Sequence, residues 1–470
     1  LEAFKESGKE VIAYEEYFQQ FQYHIASYAT ELYMHPMGQA LLSGYGGNNL
    51  YFREMLEKLS VNVHVFRVGG FKSAVEPFTR DDMSEEAKLA NQTLYNGLWR
   101  YLVEDIADNR QLPVADIEAY SQQFSLLLEK AGGDMARTTL EAKLVDELLT
   151  RDQIRARIAD KVGWLEENER LNAIGMDNYL RLRQALPAIP GDNQIAVLIA
   201  QGTIMEGEGA GVAAADTLVR KIRNARNNDQ IKGLVLRVDS PGGSAFASEL
   251  IRQELELLQI AGKPVVASFG SVAASGGYWI SATADAIVSE PTTITGSIGI
   301  FGVVPSFENA LDRLGIHSDG TGTTPLTSID PLAGLNDEFK SILQSNIEFG
   351  YRQFTDLVAR GRNMEPEAVE AIAQGRVWQG DKAFELGLVD ALGDTQVAIE
   401  KAAELAELSD WSVRYLEDPL NPRDEFIRQL MESVELDLVQ QSPKNRLLSQ
   451  AADLLEKPFA PLGYLSAPRP

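Results

Sequence analysis

Two glycine-rich turns hold the residues best suited to covalent chemistry, VDSPGGS (238–244) and ASGG (274–277). Each follows an apolar run that reads as a buried strand and precedes a run that reads as a helix. In a parallel sheet both turns lie beyond the carboxyl ends of the strands, where open α/β sheets bind ligands. Their glycines leave backbone N–H groups without side-chain cover. Ser275 offers a hydroxyl that can attack a carbonyl, and those N–H groups can hold the resulting oxyanion. A helix starting at Ser275 would further favour negative charge there. The plain alternative is packing: small residues at such a turn let a helix sit close to a sheet, and SPGG alone is a common tight turn. Two such turns at adjacent strand ends favour the chemical reading.

A serine nucleophile needs a base. The chain has no cysteine, so thiolate nucleophiles, disulfides and Cys-ligated zinc are excluded. Its four histidines are His24, His35, His64 and His317. None stands in a sequence context that suggests an orienting carboxylate, and none has HExxH-type metal spacing. Ala273 occupies the first glycine position of a G-x-S-x-G elbow. A Ser-His-Asp triad is therefore poorly supported. A lysine remains, provided burial lowers its pKa toward neutrality.

An internal repeat points to which lysine. At an offset of 255 residues, YHIASYATELYMHPMGQALLSGYGG (23–47) lies over YWISATADAIVSEPTTITGSIGIFG (278–302) without a gap. FREMLEKL (52–59) lies over FENALDRL (307–314), and LEAKLVDEL (140–148) resembles FELGLVDAL (384–392). Two copies of one domain is the economical reading. Gln20 stands opposite Ser275, and Lys72 falls opposite Leu326 or Thr327. Each copy lacks what the other has, so one dyad made from Lys72 and Ser275 is expected. The ordinary lysine is solvated. Lys72, between VHVFRVGGF and SAVEPF, is placed for partial burial.

The elements that must position these groups read as an α/β fold. In the second copy, 195–204, 232–240 and 263–269 read as strands, with helices over 211–228 and 248–262. Strand, helix, strand, helix, strand means a parallel sheet with right-handed crossovers. The first copy begins only at its last helix, so it is expected to be truncated at its N-terminal side. The expected division is 1–165 for the partial first copy, 166–192 for a connector, 193–409 for the second copy and 410–470 for a peripheral tail with a helical run over 425–440.

The segments LRVDSPGGSAFASE, AASGGYWIS, TGSIGIFGV and FRVGGFKSAVEPFTRDDMS resemble the long bacterial form of the S49 serine peptidases. The resemblance runs from about Gly8 to about Leu405. It implies tandem crotonase/ClpP-like αββ-type repeats and a serine endopeptidase with a Ser–Lys dyad. Carried over residue by residue, Ser275 is the nucleophile, Lys72 the general base and Ser297 of TGSIG the hydroxyl that orients the lysine. The SPGG glycines, Gly242 or Gly243, and Gly276 supply the oxyanion donors. Leu42 stands opposite Ser297 in the first copy. The resemblance further implies signal peptides and other apolar peptides as substrates, with no cofactor, neither ATP nor metal. It also implies a homotetramer held on the periplasmic face of a bacterial inner membrane by an N-terminal anchor absent from this chain. Two rivals are a crotonase-like acyl-CoA enzyme, which would want a carboxylate base, and an inactive scaffold or chaperone, which would have lost Ser275 or Lys72.

Composition narrows the partners. With 43 Lys and Arg against 68 Asp and Glu, the 470-residue chain carries a formal charge of −25. That disfavours nucleic acid and anionic lipid surfaces as partners of its bulk surface. No stretch approaches the roughly 18 unbroken apolar residues of a membrane span.

Overall fold

The computed structural model describes residues 1–165, 170–184, 191, 193–209, 211–324 and 330–416. They form two compact units. One contains residues 1–45 and 99–184; the other contains 46–98 and 193–416.

The first unit is built on short parallel strands. β1 (Ile12–Glu15) pairs with β3 (Glu31–Met34), β3 with β6 (Glu147–Leu148), and β2 (Phe18–Gln19) with β4 (Ala40–Leu41). β5 (Asn62–Val68) falls between β4 and β6 in sequence but belongs to the second unit. The stretch expected as a connector, 166–192, holds β8 (Arg170–Leu171), which pairs with β7 (Trp164–Leu165) at the end of the expected first copy, and a helix over Met176–Gln184.

The second unit holds the main sheet. Its first strands are β9 (Gln194–Gln201), β12 (Ile231–Ser240) and β13 (Val265–Ala274), with a small ladder of β10 (Ile204–Met205) and β11 (Ala213–Ala214) beside them. β14 (Ala286–Ser289), β15 (Ile294–Gly296), β17 (Val377–Gln379), β18 (Ala391–Leu392) and β19 (Ser412–Tyr415) complete it, and β16 (Ile300–Ser306) pairs with β5 in a separate ribbon. The order is β17–β15–β13–β12–β9–β19, with β14 on the first half of β13 and β18 beside β14. All pairings in this sheet are parallel except β15 with β17. Both faces are covered, as near-continuous apolar strands require. Leu234, Leu236 and Val238 pack under helices Ala215–Arg226 and Ala245–Ile260, while Ile195, Val197, Val235 and Val266 pack under helix Thr395–Leu405.

Several boundaries differ from the sequence reading, three of them for a plain physical reason. The helix expected over 211–228 starts at Ala215, because Ala213 and Ala214 pair with β10. β13 runs on to Ala274, since its second half gains a partner in β15 after its first half has paired with β14. Ser412–Tyr415, expected in a peripheral tail, forms a sheet strand along β9, whose N–H and C=O groups would otherwise form an open edge. The helical run expected over 425–440 and the rest of the tail lie outside the described residues.

The same hydrogen bonds recur in both units. Tyr23 OH donates to the Leu144 carbonyl at 2.7 Å, and Tyr278 OH to the Leu388 carbonyl at 2.8 Å. Asp146 accepts from the Leu32 N–H at 2.7 Å, and Asp390 accepts from the Ile287 N–H at 2.7 Å. The split of β13 between β14 and β15 is matched by β1 on β3 and β2 on β4.

Candidate active site

Ser240 at the end of β12 is paired with Ala273 of β13, so the two glycine-rich turns emerge side by side. Ser275 has φ +54° and ψ −117°, a conformation costly for any residue with a Cβ. Its N–H donates to the Gly296 carbonyl at 2.9 Å, and its own carbonyl accepts from the Trp279 N–H at 2.9 Å. The helix expected to start here is a single turn, Gly276–Trp279. Its dipole is correspondingly small.

Close packing accounts for glycine at several of these positions. A Cβ on Gly277 would lie 2.7 Å from the Ser240 carbonyl oxygen, and one on Gly276 would lie 2.6 Å from Ser248 Oγ. Gly242, at φ +104°, has no room either: its Cβ would sit 2.8 Å from Ser275 Cβ and 2.7 Å from the Gly276 nitrogen. The Gly242 N–H donates to Ser240 Oγ at 3.2 Å and so serves the turn. Gly243 bridges Ile204 in parallel fashion. The flanking Gly242 carbonyl and Ser244 N–H make those bonds, so the Gly243 N–H faces away from Ile204. A Cβ on Gly276 would lie 3.1 Å from that nitrogen. The Gly243 nitrogen thus lies close to Gly276, beside Ser275.

Lys72 reaches Ser275 from a segment far away in sequence. β5 and β16 pair antiparallel from Val68↔Ile300 to Asn62↔Ser306. This sets Gly69–Lys72, just past β5, beside Ser297–Gly299, just before β16. Lys72 Nζ donates to Ser275 Oγ at 3.2 Å, Ser297 Oγ at 2.9 Å and the Ser297 carbonyl at 3.0 Å. The side chain is 4% exposed, and burial pushes its amine down to about 8. Protonated, the amine has three donors for three oxygens. Neutral, it has two donors and a lone pair, which is free to accept the Ser275 proton. The sequence counterpart of Lys72, at 326 or 327, lies outside the described residues.

In the first unit the position opposite Ser275 is closed: Gln20 Oε1 accepts from the Gly44 N–H at 2.7 Å. Leu42, opposite Ser297, is buried.

Sequence reading missed several supports. Glu76, 3% exposed, accepts from the Ser84 N–H at 3.1 Å and from the Ser84 hydroxyl, tying the lysine segment to the start of helix Glu85–Arg110. Its signal was a buried-strand neighbourhood followed by S-E-E, a helix start. Gln374 to Arg376, far off in sequence, borders both Lys72 and Ser297 and left no signal. The histidines also need correcting. His24 Nε2 lies 2.5 Å from Asp105 Oδ2, and His317 Nδ1 lies 3.1 Å from Asp312. Those carboxylates lie 81 and five residues away in the chain, on helices Glu85–Arg110 and Glu308–Arg313, so their alignment with the rings is tertiary or local turn geometry. His24 belongs to the first unit and His317 is exposed; the hydroxyl of Ser275 accepts a hydrogen bond from Lys72. Among the described residues, no group of His, Asp or Glu could hold a metal ion and no helix is long and apolar enough to cross a membrane.

The parallel α/β sheet thus carries a buried amine hydrogen-bonded to a strained serine, an arrangement chemically suited to hydrolysis. The model of peptidase family S49 matches residues 3–164 and 258–409, and the chain belongs to that family. It is 45% identical over 419 residues to Protease 4 of Salmonella typhi, covering 89% of this chain and 67% of that protein. It is 42% identical to Protease 4 of Haemophilus influenzae over 88% of this chain and 69% of that one. A putative signal peptide peptidase SppA of Enterococcus faecium is 32% identical over 41% of this chain and 56% of its own length. The chain is a peptidase.

Proposed function

We propose that this peptidase is a serine endopeptidase with a Ser275–Lys72 dyad, acting on extended apolar peptides such as released signal peptides. The observation that carries the reading is the buried Lys72 Nζ at 3.2 Å from Ser275 Oγ. Neutral Lys72 takes the Ser275 proton as Oγ bonds to the peptide carbonyl carbon. The carbonyl electron pair moves to oxygen, where the N–H groups of Gly243 and Gly276 hold it. The intermediate collapses, the C–N bond breaks, and the leaving amine takes the proton from Lys72. Lys72 then takes a proton from water as it adds to the acyl carbon, the bond from that carbon to Ser275 Oγ breaks, and Oγ takes the proton back from Lys72, releasing the acid. Ser297 aims the amine by accepting from it.

Signal peptides are favoured by the similarity to a putative signal peptide peptidase of Enterococcus faecium and by the fit of a bare backbone site to an extended chain. The recurring bonds around Tyr23 and Tyr278 support two tandem copies, of which one kept the serine. A homotetramer at the periplasmic face of an inner membrane belongs to the same proposal. The acyl-CoA rival needs a carboxylate base, and an amine holds that place.

Cleavage of a fluorogenic apolar peptide tests the dyad. Ser275→Ala and Lys72→Ala are expected to lose turnover by at least about 10²-fold to 10⁴-fold with melting temperature retained. Near-normal turnover in either would refute it.

A further inference from the structure

We propose that Gly375 is a positioning residue for Lys72: its bare α-carbon forms one wall of a slot that holds the lysine stem in line with Ser275 and Ser297. This rests on the role of base given to Lys72 above.

A lysine has four methylenes and rotamer freedom to match, so an amine that must meet one hydroxyl needs its stem confined. A Cβ on Gly375 would lie 2.8 Å from Lys72 Cβ, 2.9 Å from Cδ and 2.9 Å from its backbone nitrogen. A Cβ on Gly299 would lie 2.8 Å from Gly375 Cα and 3.3 Å from Lys72 Cδ. The stem thus runs where two glycine backbones meet. Gly375 has φ +74° and follows Gln374 at φ +55°, a turn that glycine makes without strain.

The same turn ties together both loops that serve the amine. The Phe71 N–H donates to the Gln374 carbonyl at 3.0 Å, on the lysine side. The Gly375 N–H donates to the Ile298 carbonyl at 2.7 Å, and the Ser297 N–H to the Arg376 carbonyl at 2.7 Å, on the serine side. The turn is itself held by Tyr351, whose hydroxyl accepts from the Gln374 N–H at 3.3 Å. It fixes the distance between two loops and the rotamer between them.

Gly375→Ala tests this. The methyl group must displace the Lys72 stem, and a misplacement near 1 Å costs on the order of 100-fold in rate. The expected result is that loss in kcat with KM within about threefold, and an acid limb of kcat/KM moved upward as the displaced amine meets water. A purely structural glycine would lower the melting temperature and leave the acid limb in place. If Gly375→Ala does not fold, Gly299→Ala, which carries no left-handed backbone strain, takes up the test from the other wall of the slot: its Cβ meets the Gly375 Cα at 2.8 Å and Lys72 Cδ at 3.3 Å. A folded variant with kcat within about threefold of the parent and an unmoved limb overturns the inference, provided Lys72→Ala is inactive. Full turnover in Lys72→Ala overturns the dyad instead.

Discussion

Lys72 Nζ and Ser275 Oγ lie 3.2 Å apart across 203 residues of chain, and the same amine bonds Ser297 through both its hydroxyl and its carbonyl. No carboxylate is among these partners, so burial rather than charge pairing sets the protonation of the amine.

Peptidase activity should therefore rise with pH through about 8. Below that value the lysine is a cation and cannot take the serine proton. A plot of log kcat/KM against pH, with a substrate that does not titrate, should climb with unit slope and flatten above about 8. A flat profile between about pH 6 and 9 would count against Lys72 as the base.

Stability should rise over the same direction of pH. The folded amine has a pKa of about 8 against an ordinary 10.5, so the unfolded chain binds more protons between these values. The cost of the buried cation is fully present below about 8 and is relieved as pH climbs toward 10.5. That cost is on the order of 3 kcal/mol. Lys72→Met should be more stable than the parent at pH 7 and should lose this slope in urea titrations run from pH 7 to 10.

Ser297→Ala should lower kcat by roughly tenfold, less than loss of Ser275 or Lys72, because the Ser297 carbonyl still accepts from the amine. Ser297 sits at φ +53°, so Ser297→Gly removes the hydroxyl while relaxing the backbone. Equal kcat losses in the two variants would assign the effect to the hydroxyl; a much larger loss in the glycine variant would show that the fixed backbone at 297 matters as well.

Gly242→Ala should abolish cleavage, on the order of 10²-fold to 10³-fold, because the new methyl group meets the Gly276 nitrogen and Ser275 Cβ. Circular dichroism should stay close to the parent. A Gly242→Ala enzyme with unchanged kcat would mean that the oxyanion is held elsewhere.

Tyr23→Phe should destabilise the first unit by about 1–3 kcal/mol, leaving the buried Leu144 carbonyl without its donor. Peptide turnover at low temperature should be unchanged. Tyr278→Phe removes the counterpart bond to Leu388 and should cost a similar amount, read as a shift of denaturation midpoint.

Much of this was legible in the chain itself. Apolar runs such as Leu234–Val238 fix buried parallel strands, since a strand covered on both faces has no polar side to show. The turns at 240–244 and 274–277 follow from the same pattern, and the pairing of Gln20 with Ser275 and Leu42 with Ser297 follows from the repeat. These are local or periodic signals, carried by residues near one another in sequence.

Folding alone decided the rest. That residues 46–98 pack with the second unit depends on β5 finding β16, a pairing over more than 200 residues with no local signature. The strain at Ser275, the one-turn helix after it and the slot between Gly375 and Gly299 arise where three distant loops converge. Sequence names the amine and the hydroxyl; only the packed chain removes water from one and sets it in line with the other, because desolvation and distance belong to the assembly of elements rather than to any one of them.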